Sequence, residues 1–349
     1  MASNINTDVA ILGAGFASLI YAISTRMNKK ITIYESKKIL SYDSLDRQLV
    51  LSATSVSLLR SWGLTLQYAI KLSLVTIKIP GFYRTIRFSN HDSVCGDIGY
   101  SVSATSFLHE LHELCRKKNL SIIDACPVSA IAYENKQFKL QSPHGEIQTD
   151  SLIMTGGDLA LITSLGVKSR DLGHWYIATG KYNSNSLVSD QTMLLLGKQV
   201  SIALVPCGNG MVQLVAVSFF PINNDLIFEV ISDYVIKPVT MPNHFPINCF
   251  LVTSPPKYPA ILIGNALATL PPVGASGLNA TIRDCHWLLE HGRDIDTYMQ
   301  QRLQERKPLI SLISLLITHS TVGQIVKKLG TVMLANSFLM RKYLVSLYG

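Results

Sequence analysis

The sequence predicts an α/β fold in which a Rossmann-like domain is interleaved with an antiparallel-sheet domain and followed by a helical C-terminus. Three observations lead to this prediction. The chain opens with an apolar run, a glycine turn and a second apolar run, which is the pattern of a βαβ unit. Residues 171–254 contain short β-like runs separated by Gly and Asn, which is typical of an antiparallel sheet. Helical patterns dominate after residue 290.

The first half of the chain alternates between predicted strands and helices. The predicted strands are residues 8–13, residues 31–35 and short runs within 74–103. The predicted helices are residues 14–27, residues 44–64 around a turn, and residues 104–118. A βα-like return is predicted over 120–163, and a strand, a Pro/Gly loop and a helix are predicted over 260–290.

The composition is that of a large folded chain with few charges. Its 349 residues suffice for about two domains. Hydrophobic residues make up 48% and charged residues 15%, which excludes a disordered chain. The formal net charge of +8 favours anionic partners such as phosphates, a nucleotide cofactor or acidic lipid, and we expect no nucleic-acid partner.

Cysteine spacing and the N-terminal residues predict an intracellular protein. The six cysteines include no CxxC pair, so neither a zinc site nor a disulfide framework is indicated, and a reduced cytosol fits best. The first apolar run follows no basic segment and enters a glycine turn, which argues against a secretory signal.

A charge-free segment near the C-terminus bears on membrane contact. Pro308 to Val326 carries no charged side chain, but its Ser, Thr, His and Gln residues argue against a spanning helix. The chain has no acidic residue after Glu305 and several basic ones, which is typical of a helix resting on anionic lipid headgroups. The alternative is an ordinary helical hairpin packed on the body of the protein.

The first glycine turn has the pattern of a dinucleotide site. Gly13, Gly15 and Ser18 lie between the first predicted strand and helix, and Glu35 ends the next strand. Gly13 permits a tight turn, Gly15 lets a pyrophosphate approach the backbone at the helix N-terminus, and Glu35 can accept hydrogen bonds from a ribose. Ser18 replaces a third glycine, so slightly looser helix–strand packing is expected. The alternative is a glycine turn of another α/β protein.

A second glycine-rich segment follows the strand predicted near residue 260. Gly264 and Asn265 end this strand, a Pro/Gly loop follows, and a helix begins near Gly277. Backbone N–H groups at such a helix start would stabilise negative charge on a ligand. The alternative is a loop whose Ser276 caps the helix.

Four segments together carry a resemblance to a known family: GAGFAS at 13–18 with Glu35, DRQLVLS at 46–52, GYSV at 99–102 and GNALATLPPVGASGLNATIRD at 264–284. They resemble the aromatic-ring flavin monooxygenases of the para-hydroxybenzoate hydroxylase fold, and most closely the 2-polyprenylphenol hydroxylases of ubiquinone biosynthesis. The resemblance spans nearly the whole chain. It implies FAD as the cofactor, with further contacts at Arg47, Val128, Asp158, Gly264, Asn265, Gly277, Leu278 and Asn279.

Several residues depart from the family pattern. Asn265 stands where the family has a ribityl-binding aspartate, and weaker FAD affinity is the expected consequence because Asn has the same shape but no charge. Pro271, Ser276 and Leu159 replace the usual His, Gln and Gly. These departures leave open a paralogue that has kept the fold and lost turnover.

The resemblance implies hydroxylation of a prenylated phenol with O₂ and NAD(P)H, through reduced flavin and a flavin hydroperoxide. It implies an FAD-binding domain formed by 1–73, 104–163 and 258–290, a substrate domain formed by 74–103 and 164–257, and C-terminal helices over 291–349. We expect a cytoplasmic protein at the inner face of a membrane, with ubiquinone-pathway enzymes as partners. The alternatives are a non-catalytic scaffold of that pathway and a flavin reductase of isoprenoid lipids.

Local histidines and cysteines carry less weight. His109 and His112 are spaced i, i+3 on a predicted amphipathic helix and do not form an HExxH metal motif. Cys285 is interpreted as a packing residue of the helix after Gly277.

Overall fold

The computed structural model describes residues 5–25, 29–38, 47–83, 85–93, 96–156, 158–184, 189–231, 234, 236–272, 276–292 and 294–317. Numbered along the chain, its strands are β1 (Ile5–Leu12), β2 (Ile31–Tyr34), β3 (Gln48–Ser52), β4 (Ile70–Leu72), β5 (Leu74–Lys78), β6 (Thr85–Ser89), β7 (Gly99–Ser103), β8 (Ser121–Ile123), β9 (Ala130–Glu134), β10 (Gln137–Ser142), β11 (Gly145–Met154), β12 (Ser169–Ser184), β13 (Gln191–Leu196), β14 (Ser201–Gly208), β15 (Met211–Ser218), β16 (Ile236–Pro238), β17 (Asn243–Val252), β18 (Ala260–Leu262) and β19 (Ala268–Thr269). Its helices are α1 (Phe16–Ser24), α2 (Ala53–Ser61), α3 (Ala104–Lys117), α4 (Leu159–Ser164), α5 (Asn224–Ile231), α6 (Ser276–His291) and α7 (Ile295–Ile317). The predicted α/β fold with a helical C-terminal part is confirmed.

The Rossmann-like sheet has the strand order β8-β2-β1-β11-β10-β9, and β18 pairs with β11. Strands β8, β2, β1, β11 and β18 are parallel, so their carboxyl ends meet at one edge. The centre of β1 is fully buried, as expected for a parallel strand covered on both faces. This edge therefore brings the segments after β1, β2, β11 and β18 together.

The predicted βα return over 120–163 is only partly correct. β8 is followed by the antiparallel meander β9-β10-β11, and the only helix of the described part of this range is the short α4. The turn between β9 and β10 places Asn135 and Lys136 at φ of 50° and 64°. Two consecutive left-handed residues form the tight turn that suits a hairpin.

The prediction of helix over 44–64 is wrong for its first half. Residues 48–52 form β3, which pairs antiparallel with β7 in the small sheet β3-β7-β4. α2 begins only after Ser52, whose hydroxyl accepts a hydrogen bond from the Ser55 N–H at 3.1 Å. The pairing partner lies about 50 residues away in sequence, so tertiary contacts overrode the local helical pattern.

The large sheet is mostly antiparallel, with the order β19-β17-β12-β15-β14-β13-β5-β6 and with β16 paired to β12. The antiparallel sheet predicted over 171–254 is present, and this part of the chain also forms the helix α5. α5 covers one face of this sheet: Ile227, Val230 and Ile231 pack against residues such as Leu204 and Leu214.

Successive segments of the chain alternate between the Rossmann-like sheet and the large sheet. The Rossmann-like sheet takes residues 5–154 in part and 260–262, and the large sheet takes 74–89 and most of 169–252. The predicted domain boundaries stay a prediction. α1 ends at Ser24, earlier than predicted, and its neighbouring residues 26–28 lie outside the described residues.

The described helices include none long and apolar enough to cross a membrane. The charge-free segment beginning at Pro308 is described as far as Ile317, where it continues α7. Its remaining residues to Val326, like the rest of the chain to 349, lie outside the described residues.

Candidate functional site

The first glycine turn joins β1 to α1 at the carboxyl edge of the Rossmann-like sheet. Gly13 has a φ of +97°, and a Cβ there would lie 3.1 Å from the Thr155 Oγ1. Its N–H donates to the Tyr34 carbonyl oxygen at 2.8 Å, which fixes the turn against the end of β2. The backbone conformation and the crowding both require glycine at this position.

The N-terminus of α1 is left open by the same turn. Gly15 is its N-cap residue and offers no side-chain cap, and a Cβ at Gly15 would meet no atom within 4 Å. Ser18 is fully buried and its hydroxyl donates to the Gly15 carbonyl oxygen at 2.9 Å. The first-turn N–H groups of α1 therefore face space in which an anion would be stabilised.

Glu35 holds the turn from the end of β2. Its Oε2 accepts a hydrogen bond from the Ala14 N–H at 2.6 Å, and its Oε1 accepts from the Lys37 N–H at 3.0 Å. The Ser36 hydroxyl also donates to Oε1, at 3.1 Å. A carboxylate has about four acceptor positions, so Glu35 can still accept one further donor such as a ribose hydroxyl.

Val128 lies in the segment that follows β8. The backbone N–H of Cys126, two residues before it, donates to the Glu35 carbonyl oxygen at 2.8 Å. Val128 itself is half-buried and packs against the main core. The segment after β8 is thus tied to the end of β2.

The second glycine turn lies directly on the first helix. Gly264 follows β18 with a φ of +60°, and a Cβ there would lie 3.0 Å from the Ala17 Cβ and 3.2 Å from the Thr281 Oγ1. Ala17 belongs to the first motif and Thr281 to α6. Two segments about 250 residues apart in sequence are therefore in contact, and Asn265 is the exposed side chain between buried Gly264 and Ala266.

The first turn of α6 is tied to β3. The buried Asn279 Oδ1 accepts a hydrogen bond from the Ser52 N–H at 2.9 Å, and the Asn279 Nδ2 donates to the Val50 carbonyl oxygen at 3.1 Å. Its side-chain amide thus joins two backbone segments. Gly277 is exposed and Leu278 half-buried in the same turn.

Arg47 immediately precedes β3. Its side chain is exposed by surface area, yet surrounding protein atoms desolvate it enough to lower its pKa. Its carbonyl oxygen accepts from the Ala104 N–H at 2.9 Å, which connects it to the start of α3.

Asp158 has a local role that the sequence did not reveal. Its carboxylate caps α4, accepting hydrogen bonds from the Ala160 N–H at 3.0 Å and the Leu161 N–H at 3.3 Å. Asp158 is exposed. The carboxylate expected to contact the cofactor is therefore engaged in capping α4, and Asp is a preferred residue at such an N-cap position.

Three glycines are required by neither the backbone nor its neighbours. Gly15, Gly156 and Gly277 have no positive φ, and a Cβ at any of them would meet no atom within 4 Å. Gly99, Gly180 and Gly197, which also lack a positive φ, are instead crowded by backbone atoms. The first three positions leave room for the close approach of a ligand.

Two residues of this region were missed by the sequence analysis. Gly156 N lies 3.8 Å from where the Gly13 Cβ would be, which puts Gly156 beside the first turn. The Thr155 hydroxyl donates to the Leu12 carbonyl oxygen at 2.8 Å and joins the ends of β11 and β1. A Thr-Gly-Gly sequence after an apolar strand was the available signal.

Metal and thiol chemistry find no support among the described residues. Within them, no group of three or more His, Cys, Asp or Glu side chains is placed to hold a metal ion. Burial raises the pKa of the Cys115 and Cys249 thiols to about 12 and that of Cys285 well above its ordinary value. These cysteines stay protonated and are packing residues.

Comparison with solved structures identifies the fold. The chain resembles p-nitrophenol 4-monooxygenase PnpA from Pseudomonas putida DLL-E4, with a TM-score of 0.78, 12% identity and 99% of each chain covered. The chain has the fold of the flavin monooxygenases. The flavin-dependent brominase Bmp2 gives a TM-score of 0.77 at 12% identity, covering 98% of this chain and 93% of its own. A variant of HpxO from Klebsiella pneumoniae complexed with FAD gives 0.75 at 15% identity, with 98% of each chain covered.

No protein-family model matches the chain, and no curated protein matches it. The identities to these flavoproteins are low, so they establish the flavin monooxygenase fold and not a substrate. The residues present fit FAD: an uncapped helix N-terminus, three glycines open to space and a carboxylate with remaining acceptor capacity converge where the two glycine turns meet.

Proposed function

We propose that the protein binds FAD and is an FAD-dependent monooxygenase that hydroxylates an aromatic ring. The observation that carries the proposal is the contact between Gly264 and Ala17, because it joins two motifs that would hold opposite ends of one extended cofactor. Glycines open to space lie on both motifs, as close approach of that cofactor requires.

Each predicted contact has a role in this proposal. The first turn of α1 after Gly15 would hold the pyrophosphate, and Glu35 the ribose, with Val128 beside the adenine. Asn265 would accept from ribityl hydroxyls, and the N–H groups from Gly277 through Leu278 to Asn279 would face the pyrimidine end. Arg47 would contact the flavin from β3. Asp158 is the weakest contact because its carboxylate caps α4.

Bound FAD would supply electron transfer from NAD(P)H and the activation of O₂. The chain would have to orient the ring to be hydroxylated and exclude water. The large sheet offers a surface for this: its face opposite α5 carries half-buried Val215 and Ala203, backed by buried Ile177 and Val217. A largely apolar roof suits a cofactor that performs the oxidation itself.

For the substrate we propose a prenylated phenol of ubiquinone biosynthesis, taken up at an anionic membrane surface on the inner side of a membrane. The low charged fraction of 15% and the absence of acidic residues after Glu305 support this. Enzymes of the same pathway are the proposed partners.

The second candidate is a non-catalytic flavoprotein-like scaffold of that pathway. Asn265 in place of Asp, and an Asp158 carboxylate engaged as a helix cap, favour it. The two candidates differ in turnover: a monooxygenase consumes O₂ and NAD(P)H when a polyprenylphenol is added, and a scaffold consumes neither.

The decisive experiment is a flavin titration of the purified protein. We expect flavin absorbance as isolated or after addition of FAD, and tighter retention in Asn265→Asp. Gly277→Val should abolish uptake because its side chain would fill the open space at α6. Ala160→Val, also at the second position of an exposed helix start, is the matched control and should bind normally. A colourless wild-type protein that takes up no FAD would overturn the proposal.

A further inference from the structure

A buried cluster of charged side chains lies between α6 and α7. Asp284 is 1% exposed, and Arg302 and Arg306 are each 5% exposed. The Arg306 Nη2 lies 2.8 Å from the Asp284 Oδ2, and the Arg302 Nη1 lies 3.7 Å from its Oδ1. Arg283, next to Asp284 on α6, has its pKa lowered by burial and interacts with the same charges.

The charges of this cluster do not balance. Three guanidinium groups, those of Arg283, Arg302 and Arg306, face two carboxylates, those of Asp284 and Glu305. The Glu305 side chain is 44% exposed, pairs with Arg302 at 2.7 Å and also accepts a hydrogen bond from the Gln301 Nε2 at 3.3 Å. Among the described residues one positive charge therefore has no carboxylate partner, in a cluster whose Arg302 and Arg306 are buried, and this is costly unless a counter-charge is supplied.

Unused hydrogen-bond donors accompany the surplus charge. Among the residues that the structure describes, the Arg283 Nη1, Arg302 Nε and Arg306 Nη1 atoms are buried and have no hydrogen-bond partner, and the same is true of the Asp284 Oδ1 acceptor, which lies 3.7 Å from the Arg302 Nη1. Each of the three arginines thus retains an N–H donor suited to an oxyanion. Arg283 is half-buried, so the cluster reaches the surface on that side.

The sequence given has no Asp or Glu side chain after Glu305. We infer that Arg283, Arg302 and Arg306 form a binding site for a small oxyanion of the phosphate class, which locks α7 onto α6. Arginine is the residue that best matches the geometry of phosphate oxygens. This inference is independent of FAD binding at the glycine turns.

The test is equilibrium dialysis of radiolabelled inorganic phosphate against protein saturated with FAD, or against protein as isolated if it takes up none. The FAD arm keeps phosphate from the proposed pyrophosphate position. We expect about one phosphate per chain and a melting temperature that rises with phosphate more than with chloride at equal ionic strength. Vesicles containing phosphatidylglycerol should not replace phosphate, since the donors are buried.

Two variants should change the affinity for phosphate in opposite directions. Arg306→Met removes one guanidinium and should weaken phosphate binding at least tenfold. Asp284→Asn removes the competing carboxylate and should tighten phosphate binding. A purely structural ion cluster would make both variants less stable at every phosphate concentration. Arg116→Met, at an arginine that is 76% exposed, is the control and should change nothing.

The result that overturns the inference is wild-type protein with no bound phosphate and no phosphate-dependent rise in melting temperature. Unchanged phosphate binding in Arg306→Met would also overturn it. If Arg306→Met does not fold, Arg283→Met replaces it, because Arg283 is half-buried and makes no described hydrogen bond through Nη1. Failure of FAD binding would leave this result unaffected.

Discussion

The contact between the two glycine turns can be measured by replacing Gly264 with Ala. The added Cβ would lie 3.0 Å from the Ala17 Cβ and 3.2 Å from the Thr281 Oγ1. Ala17 Cβ is attached directly to the backbone of α1, so it cannot rotate away. The φ of +60° adds a second penalty.

The expected loss of stability in Gly264→Ala is the sum of the backbone penalty and the steric penalty. Left-handed backbone costs a residue other than glycine about 1–2 kcal/mol, and an overpacked methyl costs about 1–3 kcal/mol. Gly264→Ala should therefore lower the free energy of unfolding by about 2–5 kcal/mol. Urea titration followed by circular dichroism measures this change.

A double-mutant cycle isolates the contact. Ala17→Gly costs about 1 kcal/mol in helix propensity, but in the Gly264→Ala background it also removes the clash. The double variant should then be more stable than the sum of the single changes predicts, by about 1–2 kcal/mol. Ala22→Gly, on the same helix but not among the atoms nearest Gly264, is the control and should be additive. Strict additivity of the Ala17 pair would refute the convergence of the turns.

Three further changes test individual side chains. Asn279→Ala leaves the Ser52 N–H, in a buried hydrogen bond, and the part-buried Val50 carbonyl oxygen without their partner, so the free energy of unfolding should fall by about 2–4 kcal/mol in a urea titration. Asn279→Asp keeps the acceptor for Ser52 but places a carboxylate oxygen against the Val50 carbonyl oxygen, so it should also lower the free energy of unfolding. Asp158→Ala should lower the free energy of unfolding by about 1 kcal/mol through loss of the α4 cap, whereas Asp158→Ser keeps the cap. A drop in flavin uptake in both variants would show that the carboxylate also contacts the cofactor, and unchanged uptake in both would show that it only caps α4. Burial lowers the pKa of His112 from its ordinary 6.5 to about 4. Below pH 6.5 the unfolded chain therefore binds a proton that the folded protein does not, and the free energy of unfolding should decline by about 3 kcal/mol as the pH falls from 6.5 to 4. His112→Gln should remove this decline, and the exposed His109→Gln should retain it.

Much of the architecture was predictable because many of its strands and helices have a recognisable local pattern of apolar residues. The apolar runs of β1 and β2, the helical spacing of α3 and the glycine-punctuated strands of 171–254 each specify their own conformation. The strand at 48–52 was not predictable in this way. Its identity depends on pairing with β7, and a five-residue segment with only three consecutive apolar residues is compatible with either helix or strand.

The sequence by itself determined that two glycine turns exist, that each follows a strand and precedes a helix, and that one carries a carboxylate about 20 residues on. Backbone conformation and composition are local properties, so they can be read along the chain. Only the tertiary structure decided that Gly264 touches Ala17, that the Asn279 amide is committed to β3 and that Asp158 caps α4. The hydrogen-bond partners of a side chain depend on what packs beside it. Residues about 230 positions apart in sequence, such as Ser52 and Asn279, can form a hydrogen bond only once the sheets have brought them together.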